Sequence, residues 1–541
     1  MFIDHPVRRR EWVLALAAAL LPGSGAWANG VSLPWLDGGR PSALAHEAVA
    51  LLADAGSHGL DPRDYGAQAL AQAVTAAGRG TDAAAAAQLE EALSAATERY
   101  LADLAHGRVD PRAIHHRFSV APRAGFDPAA ALQAALDRGR LAEAVAAAVP
   151  PLPVYGQLRQ ALAAYRALGE HPAWAQPLPA LPAASGKGRA RPVKLEPGQP
   201  WAGLPALAER LAVLGDLAPG TPPPALYEGA LVEAVRGFQA RHGLSVDGVL
   251  GRATLAALAA PPAARARQIA LTMERLRWTP LMQGPRMIVV NIPEFVLRAY
   301  EVVDGRIHVR AQMRVIVGEA LDKQTPLFDE RMRYIEFSPY WNVPPSIARN
   351  ETVPRLRRDP GYWDRQGFEF VGPGGKVDTV LARNKLDTVL AGALRIRQRP
   401  GPANALGDIK FVFPNRDSIF LHHTPSTGLF ARDRRDFSHG CIRVEEPVAL
   451  ARFVMAGMAG WDEARIREAM TGGASSTVPL AEPVPVLIAY GTVVPKNGRI
   501  HFYNDVYGHD ARLQAALEAR RVSRPAVTPI TPVTDRGRSS R

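Results

Sequence analysis

Apolar residues recur at helical spacing in one part of this chain and gather in short β-branched runs in another, and the change from one to the other divides it. From about 38 to 170 Ala and Leu dominate with scattered charges, as in Glu47-Ala48-Val49-Ala50-Leu51-Leu52 and Glu91-Ala92-Leu93-Ser94-Ala95-Ala96-Thr97-Glu98-Arg99-Tyr100-Leu101. Apolar residues three and four apart predict amphipathic helices, punctuated by Gly59-Leu60-Asp61-Pro62 and Gly107-Arg108-Val109-Asp110-Pro111, each a helix end followed by a turn. Residues 38–170 are therefore expected to form a helical packing module, and the Pro, Ala and Gly of 171–200 a linker. Helical spacing returns in Leu204, Leu207, Leu211 and Leu214, ending at Gly215, and in Leu231, Val235 and Phe238, within a compact unit over 201–260. After Trp278 the runs become short, β-branched and bounded by Pro or Gly: Met287–Ile292, Phe295–Tyr300, Gln312–Gly318, Ile409–Phe413 and Ser418–Leu421. These predict strands. Residues 349–403 between them are charged, Pro-rich and partly helical, and read either as a lid at the mouth of a site or as a surface elaboration.

The first residues bear on compartment. Arg8, Arg9 and Arg10 precede an apolar run from Trp12 to Leu21, and Ala26-Trp27-Ala28 closes the segment as an A-x-A signal. Residues 1–28 thus read as a secretory signal peptide, the run being short for a membrane anchor, and no later stretch of eighteen apolar residues follows. The mature chain is expected to be soluble outside the cytoplasm. Of the formal charge of +12, half sits in the signal peptide and in residues 520–541, an Arg-rich segment expected to be a disordered basic tail. The rest is a modest excess without a basic stripe interleaved with aromatics, which argues against nucleic acid and for mild attraction to anionic wall polymers or membrane surface.

Export changes the meaning of the cysteine count, which is one. Cys441 has no intrachain disulfide partner, yet it stands in Phe437-Ser438-His439-Gly440-Cys441-Ile442-Arg443, nineteen residues after His422. Attack on an amide needs a thiolate, a proton acceptor and donors for an oxyanion. Cys441 supplies the nucleophile, and His422, at the end of an apolar strand, the base. Backbone N–H groups of His439, Gly440 and Cys441 are placed to form the oxyanion pocket, and Arg443 offers a cation to a substrate carboxylate. Glu445-Glu446-Pro447 begins a helix whose N-terminus is expected to depress the thiol pKa. Three blander readings are weaker. An isolated cysteine is usually a buried small hydrophobe, a zinc site from His422, His439 and Cys441 lacks closed-site spacing and a fourth ligand, and Gly372-Pro373-Gly374-Gly375-Lys376 lacks the Lys-Ser/Thr pair of a phosphate loop and reads as a turn.

Two resemblances extend this reading. Ala234, Val235, Phe238, Gln239, Gly243, Leu244, Asp247, Gly248, Gly251 and Thr254 match the type 1 peptidoglycan-binding domain, a three-helix module in which most of the motif is a folding signature. The segment from His422 to Arg443 is similar to the L,D-transpeptidase signature, as are Asn291-Ile292-Pro293, Gln324-Thr325-Pro326, Pro339 to Ile347, Gly401 to Gly407 and Lys410 to Asn415. The match resembles the long periplasmic form of Gram-negative bacteria. It implies a multidomain α+β chain: a helical N-terminal scaffold over 38–170, a three-helix peptidoglycan-binding domain over 201–260, and a β-rich catalytic domain over 284–460 with a capping insertion at about 349–403, continued by an extension over 461–519.

The same resemblance implies a cysteinyl thioester that forms 3→3 cross-links between diaminopimelate residues of tetrapeptide stems. Stems would serve as donor and acceptor, and 201–260 would bind glycan strands beside other wall-synthesis proteins. Catalytic roles fall on Cys441, His422, His439 and Gly440, and substrate contacts on Arg443, His423, Ser438, Tyr340 and Trp341; no metal or organic cofactor is implied. Two positions depart from the family pattern, His423 in place of a frequent Asp and Phe420 in place of Tyr. Hydrolysis, exchange with a D-amino acid and attachment to a protein lysine would use the same acyl-enzyme. A non-catalytic wall-binding scaffold is the other alternative, and the intact Cys441, His422 and Arg443 argue against it.

Overall fold

A computed structural model describes residues 34–115, 118–119, 125–181, 193–280, 284–321 and 323–523. The expected signal peptide and the expected tail beyond Ser523 lie outside the described residues.

The Ala/Leu-rich module is helical: α1 (Ala43–Ala53), α2 (Ala67–Ala77), α3 (Ala83–His106), α4 (Pro128–Arg138), α5 (Leu141–Ala148) and α6 (Pro153–Leu168). Starts are set by capping side chains that accept from otherwise orphaned N–H groups, Ser42 for α1, Asp82 for α3 and Asp127 for α4. Leu89, Leu93, Ala96, Tyr100 and Leu104 form the inner stripe of α3 and meet Ala45, Leu52, Leu70 and Val74. Trp35 closes this core, its indole N–H donating to Ser94 Oγ at 2.8 Å.

The peptidoglycan-binding unit is α7 (Leu204–Val213), α8 (Ala230–Arg241) and α9 (Arg252–Ala259) around a core of Leu207, Leu211, Val235, Phe238 and Leu250. Gln239 organises the glycine loop. Its amide N–H donates to Asp247 Oδ1 at 2.9 Å and Val249 O at 3.0 Å, while its oxygen accepts from Gly248 N–H at 2.9 Å. The expected linker is only partly free of contacts. Arg210, 2% exposed, donates to Ala173 O and Gln176 O, and Leu195 pairs with Leu250, so both described ends of 171–200 dock on this unit. A buried guanidinium needs carbonyl partners, and the linker backbone provides them.

Helix α10 (Pro262–Trp278) is the spine. Its sequence looks polar, yet Glu274, Arg275 and Arg277 are buried because each finds a partner on another element. Glu274 pairs with Arg277 and accepts from the N–H groups of Arg108 and Val109, Arg277 donates to His58 O and Tyr155 OH, and Arg275 pairs with Asp510. Gly59 takes φ +73, and a Cβ there would lie 3.0 Å from Ala270 Cβ, so the scaffold approaches this helix at a position only glycine fits.

The catalytic region is a sheet closed on itself. Its strands are β1 (Arg286–Asn291), β2 (Val296–Val303), β3 (Arg306–Gly318) and β4 (Leu327–Phe337), then β5 (Trp341–Asn342), β6 (Phe368–Val371), β7 (Val377–Asp378), α11 (Arg383–Leu390) and β8 (Arg395–Gln398) of the cap. There follow β9 (Ile409–Val412), β10 (Leu421–His422), β11 (Asp436–Ser438), β12 (Ile442–Val444), α12 (Pro447–Val454), α13 (Glu463–Thr471) and β13 (Ser476–Ala489). Strand order is β9-β10-β12-β3-β2-β1-β13-β4, with β4 pairing back to β9. Alternate residues such as Ile288, Val290, Val315, Ile335, Phe411, Leu421, Ile442 and Val486 fill the interior, and α12 and α13 add Leu450, Phe453, Ile466 and Met470.

Three sequence boundaries move. The segment 461–519 is no extension, because β13 lies between β1 and β4 and the ring cannot close without it. Pro479, Pro483 and Pro485 masked its strand pattern, and the register breaks between Pro479 and Val484. The capping insertion starts at Trp341 rather than 349, since β5 completes the cap sheet β7-β6-β8-β5 around Trp363, Phe368, Phe370 and Ile396. Asn404 clasps its two roots, donating to Pro339 O at 2.9 Å and Arg399 O at 3.0 Å. Finally, α14 (His509–Ser523) carries residues 520–523 into a helix at the expected start of the tail. Leu513, fully buried against Val109, Leu271 and Trp278, anchors it.

Glu274→Ala leaves Arg277 as an uncompensated buried charge, and it is expected to cost ~3–5 kcal/mol, read in urea unfolding of the helical part by tryptophan fluorescence.

Candidate active site

Everything at the site follows from one strand pair. Strands β10 and β12 run parallel with Leu421 opposite Ile442 and His422 opposite Arg443. Leu421 and Ile442 point into the core. Alternation therefore turns His422 and Arg443 to the other face, together with Cys441 and Phe420, each two residues back. On the far side of β10 the partner of His422 is Lys410 of β9, and the partner of Lys410 is Glu336 of β4.

The nucleophile turn is held from both sides. Gly440 has φ +119, with Ile419 Cδ1 3.1 Å from the place a Cβ would take. Its carbonyl accepts from Thr325 Oγ1 at 2.7 Å, and Thr325 Oγ1 in turn accepts from Gly318 N–H at 2.9 Å. Tyr507 OH accepts from Thr325 N–H at 3.2 Å and donates to Gly318 O at 2.6 Å. Inside the turn, Ser438 Oγ donates to Cys441 O and accepts from Gly440 N–H at 3.2 Å. Ser438 is 2% exposed with its hydroxyl engaged, so it is a staple of the turn and not the substrate contact expected of it. The Gly440 N–H, held by Ser438, likewise leaves the expected oxyanion set.

His422 is 4% exposed, and its Nδ1 lies 2.5 Å from His423 O. Nδ1–H donating to that carbonyl leaves Nε2 as the acceptor. Burial, assisted by Arg443, lowers its pKa to about 3, so the imidazole is neutral at any physiological pH. The side chain of His423 packs over Gly407 with Nδ1 3.3 Å from Asp408 Oδ2. Its described role is thus to lend a backbone carbonyl to the base, with its ring held by the 407–408 turn.

Cys441 is half-buried, with Sγ 3.7 Å from Ser418 O. Burial pushes the thiol pKa up; the Phe420 N–H, Lys410 and Arg443 act against that rise without cancelling it. The depressed pKa expected from the α12 N-terminus is not what this environment produces, because desolvation of the sulfur outweighs the positive groups near it. Arg443 is itself lowered by burial, and its Nε is buried without a hydrogen-bond partner among the described residues. His439 reaches the cap: its Nε2 lies 2.6 Å from Glu351 Oε1, which also meets Lys323 Nζ at 3.4 Å. Its described contact fastens the cap to the nucleophile turn, which is a different task from moving protons. Tyr340 is 37% exposed with Arg397 stacked 4.1 Å from its ring centre, and Trp341 packs on the cap core, so the described contacts of both are with the cap.

Sequence reasoning missed Lys410, Glu336, Thr325, Tyr507 and Glu351. Lys410 was within reach, since the inward residues Ile409, Phe411 and Phe413 place it on the opposite face. Among the described residues no cluster of three or more His, Cys, Asp or Glu is placed to hold a metal ion.

The geometry agrees with comparisons to known proteins. Residues 285–479 match the family model of the L,D-transpeptidase catalytic domain, 27–162 a scaffold domain and 203–258 the "Putative peptidoglycan binding domain". A curated Haemophilus influenzae protein named "Putative L,D-transpeptidase" is 31% identical over 250 residues, 46% of this chain and 49% of that protein. The chain thus spans about half the length of this relative. A solved L,D-transpeptidase fragment from Xylanimonas cellulosilytica is 16% identical, covering 58% of this chain and all of that one, with a TM-score of 0.16. A Clostridium acetobutylicum structure described as a fused Zn-dependent amidase/peptidase/peptidoglycan-binding domain-containing protein is 11% identical, covering 55% and 100%, with a TM-score of 0.17. These sequence matches place an L,D-transpeptidase catalytic domain at 285–479, beside a scaffold domain at 27–162 and a peptidoglycan-binding domain at 203–258.

Proposed function

We propose that the chain is an exported enzyme that forms 3→3 cross-links between diaminopimelate residues of peptidoglycan stems. The observation that carries this is the register that sets Cys441, His422 and Arg443 on one face of the matched domain, in a chain that also has a wall-binding module. The arginine-rich start and A-x-A signal support export to the periplasm.

Cys441 loses its proton to His422 Nε2 as its sulfur attacks the diaminopimelate carbonyl that joins the terminal D-alanine. The N–H groups of His439 and Cys441 take the oxyanion. As the tetrahedral intermediate collapses, the C–N bond breaks, His422 gives its proton to the leaving amine, and a thioester remains. The side-chain amine of a second diaminopimelate then attacks the thioester and gives its proton to His422; the C–S bond breaks, and the departing Cys441 thiolate takes that proton back. A neutral imidazole with Nδ1 tied to a carbonyl suits both halves. Arg443, with an unpartnered Nε, is suited to a stem carboxylate. The His439–Glu351–Lys323 contact holds the cap over the turn, where excluding water favours aminolysis over hydrolysis.

Incubation with purified tetrapeptide muropeptides, read by mass spectrometry, tests this. The native chain is expected to give 3→3 dimers and Cys441→Ala none; tripeptide alone would show that water is the acceptor. His422→Gln is expected to lower the rate by about 10²- to 10⁴-fold. Because the thiol pKa is raised and His422 is neutral, both partners of the proton transfer already hold their reactive protonation states, and the acylation rate is expected to be level from about pH 5 to about pH 8. A stopped-flow pH profile checks this, and a rate climbing about tenfold per pH unit, the signature of a thiol ionised by solvent and not by His422, would contradict it.

A further inference from the structure

Attack by Cys441 requires charge on a half-buried sulfur, and the adjacent imidazole is a poor source of compensation. His422 is held neutral in its pocket, so the thiolate–imidazolium pair common to cysteine enzymes does not preform here. The face of the sheet around it supplies positive charge differently. Lys410, His422 and Arg443 are register partners on three adjacent strands, so a cation flanks the base on each side. Phe420 lies one step from the Leu421–Ile442 pair, opposite Cys441, and its carbonyl accepts from Ile442 N–H at 3.0 Å. The Lys410 ammonium rests 4.1 Å from the centre of the Phe420 ring and 3.0 Å from Glu336 Oε2, its side chain 13% exposed. Two contacts therefore fix it toward the strand pair that carries the sulfur.

We propose that Lys410, clamped by Glu336 and Phe420, is a positioning residue that supplies fixed positive charge to the Cys441 sulfur. The inference rests on the reading of Cys441 as nucleophile. Arg443 contributes from the other side of His422, and both cations favour the thiolate. Glu336 has a double effect. Its carboxylate holds Lys410 in place and offsets part of its field. Other charged groups near the turn engage one another: Lys323 and His439 with Glu351, Lys323 also with Glu319, and Arg434 with Asp436.

One cysteine in 541 residues makes the test direct, because alkylation by iodoacetamide followed by intact mass reports Cys441 alone. The thiolate displaces iodide, so the pH dependence of the rate gives the midpoint of thiol ionisation. Lys410→Met is expected to raise that midpoint by about one pH unit and slow alkylation at neutral pH about tenfold. Lys410→Arg is expected to restore the native midpoint. Glu336→Gln keeps an oxygen that accepts from the Lys410 ammonium and removes the opposing charge, so it is expected to lower the midpoint, opposite in sign to Lys410→Met, which a general loosening of the site would not produce. An unchanged midpoint in Lys410→Met, or shifts of the same sign in Lys410→Met and Glu336→Gln, overturns the proposal. If Lys410→Met does not fold, Glu336→Gln decides alone: a lowered midpoint supports the proposal, and an unchanged or raised one overturns it. A native thiol inert over the whole range would instead overturn Cys441 as nucleophile.

Discussion

The pairing of Leu421 with Ile442 is the constraint on which the site depends. Both side chains are fully buried in the catalytic core, so neither strand can slip by one residue without exposing them. That hydrophobic requirement fixes, on the reverse face, which residues meet: His422 beside Arg443, Cys441 two positions behind, Lys410 on the next strand. The residues that share this face are positioned by apolar packing on the other.

Much of this was legible in the chain itself. Short β-branched runs bounded by Pro or Gly, from Met287 to Leu421, marked the catalytic strands, and apolar spacing of three and four marked the scaffold and the peptidoglycan-binding helices. The pattern failed where burial and polarity part company. Helix α10 hides three ion-paired charges in the centre of the molecule, and β13 hides a ring-closing strand behind prolines. Both depend on partners far away in sequence, Asp510 for Arg275 and β1 for β13, which local periodicity does not record.

At the site the described contacts of several motif residues differ from the tasks that the sequence suggests for them. Ser438 and Gly440 shape the turn, His439 reaches the cap, and His423 gives the base a carbonyl. Motif spacing identifies residues that come together, while side-chain direction and hydrogen-bond saturation decide what each does. The thiol's raised pKa is the clearest case, because a helix start is visible in sequence and desolvation is not.

Tyr507 gives this arrangement a consequence in time. Its hydroxyl, through Thr325, holds the carbonyl of Gly440, yet it follows the nucleophile by more than a dozen turns' worth of chain and lies beyond β13. A chain emerging in order therefore has its cysteine long before it has the means to aim it. Contacts of such high sequence separation form late. The turn that carries Cys441 is thus held by contacts that wait for the last described segments of the chain.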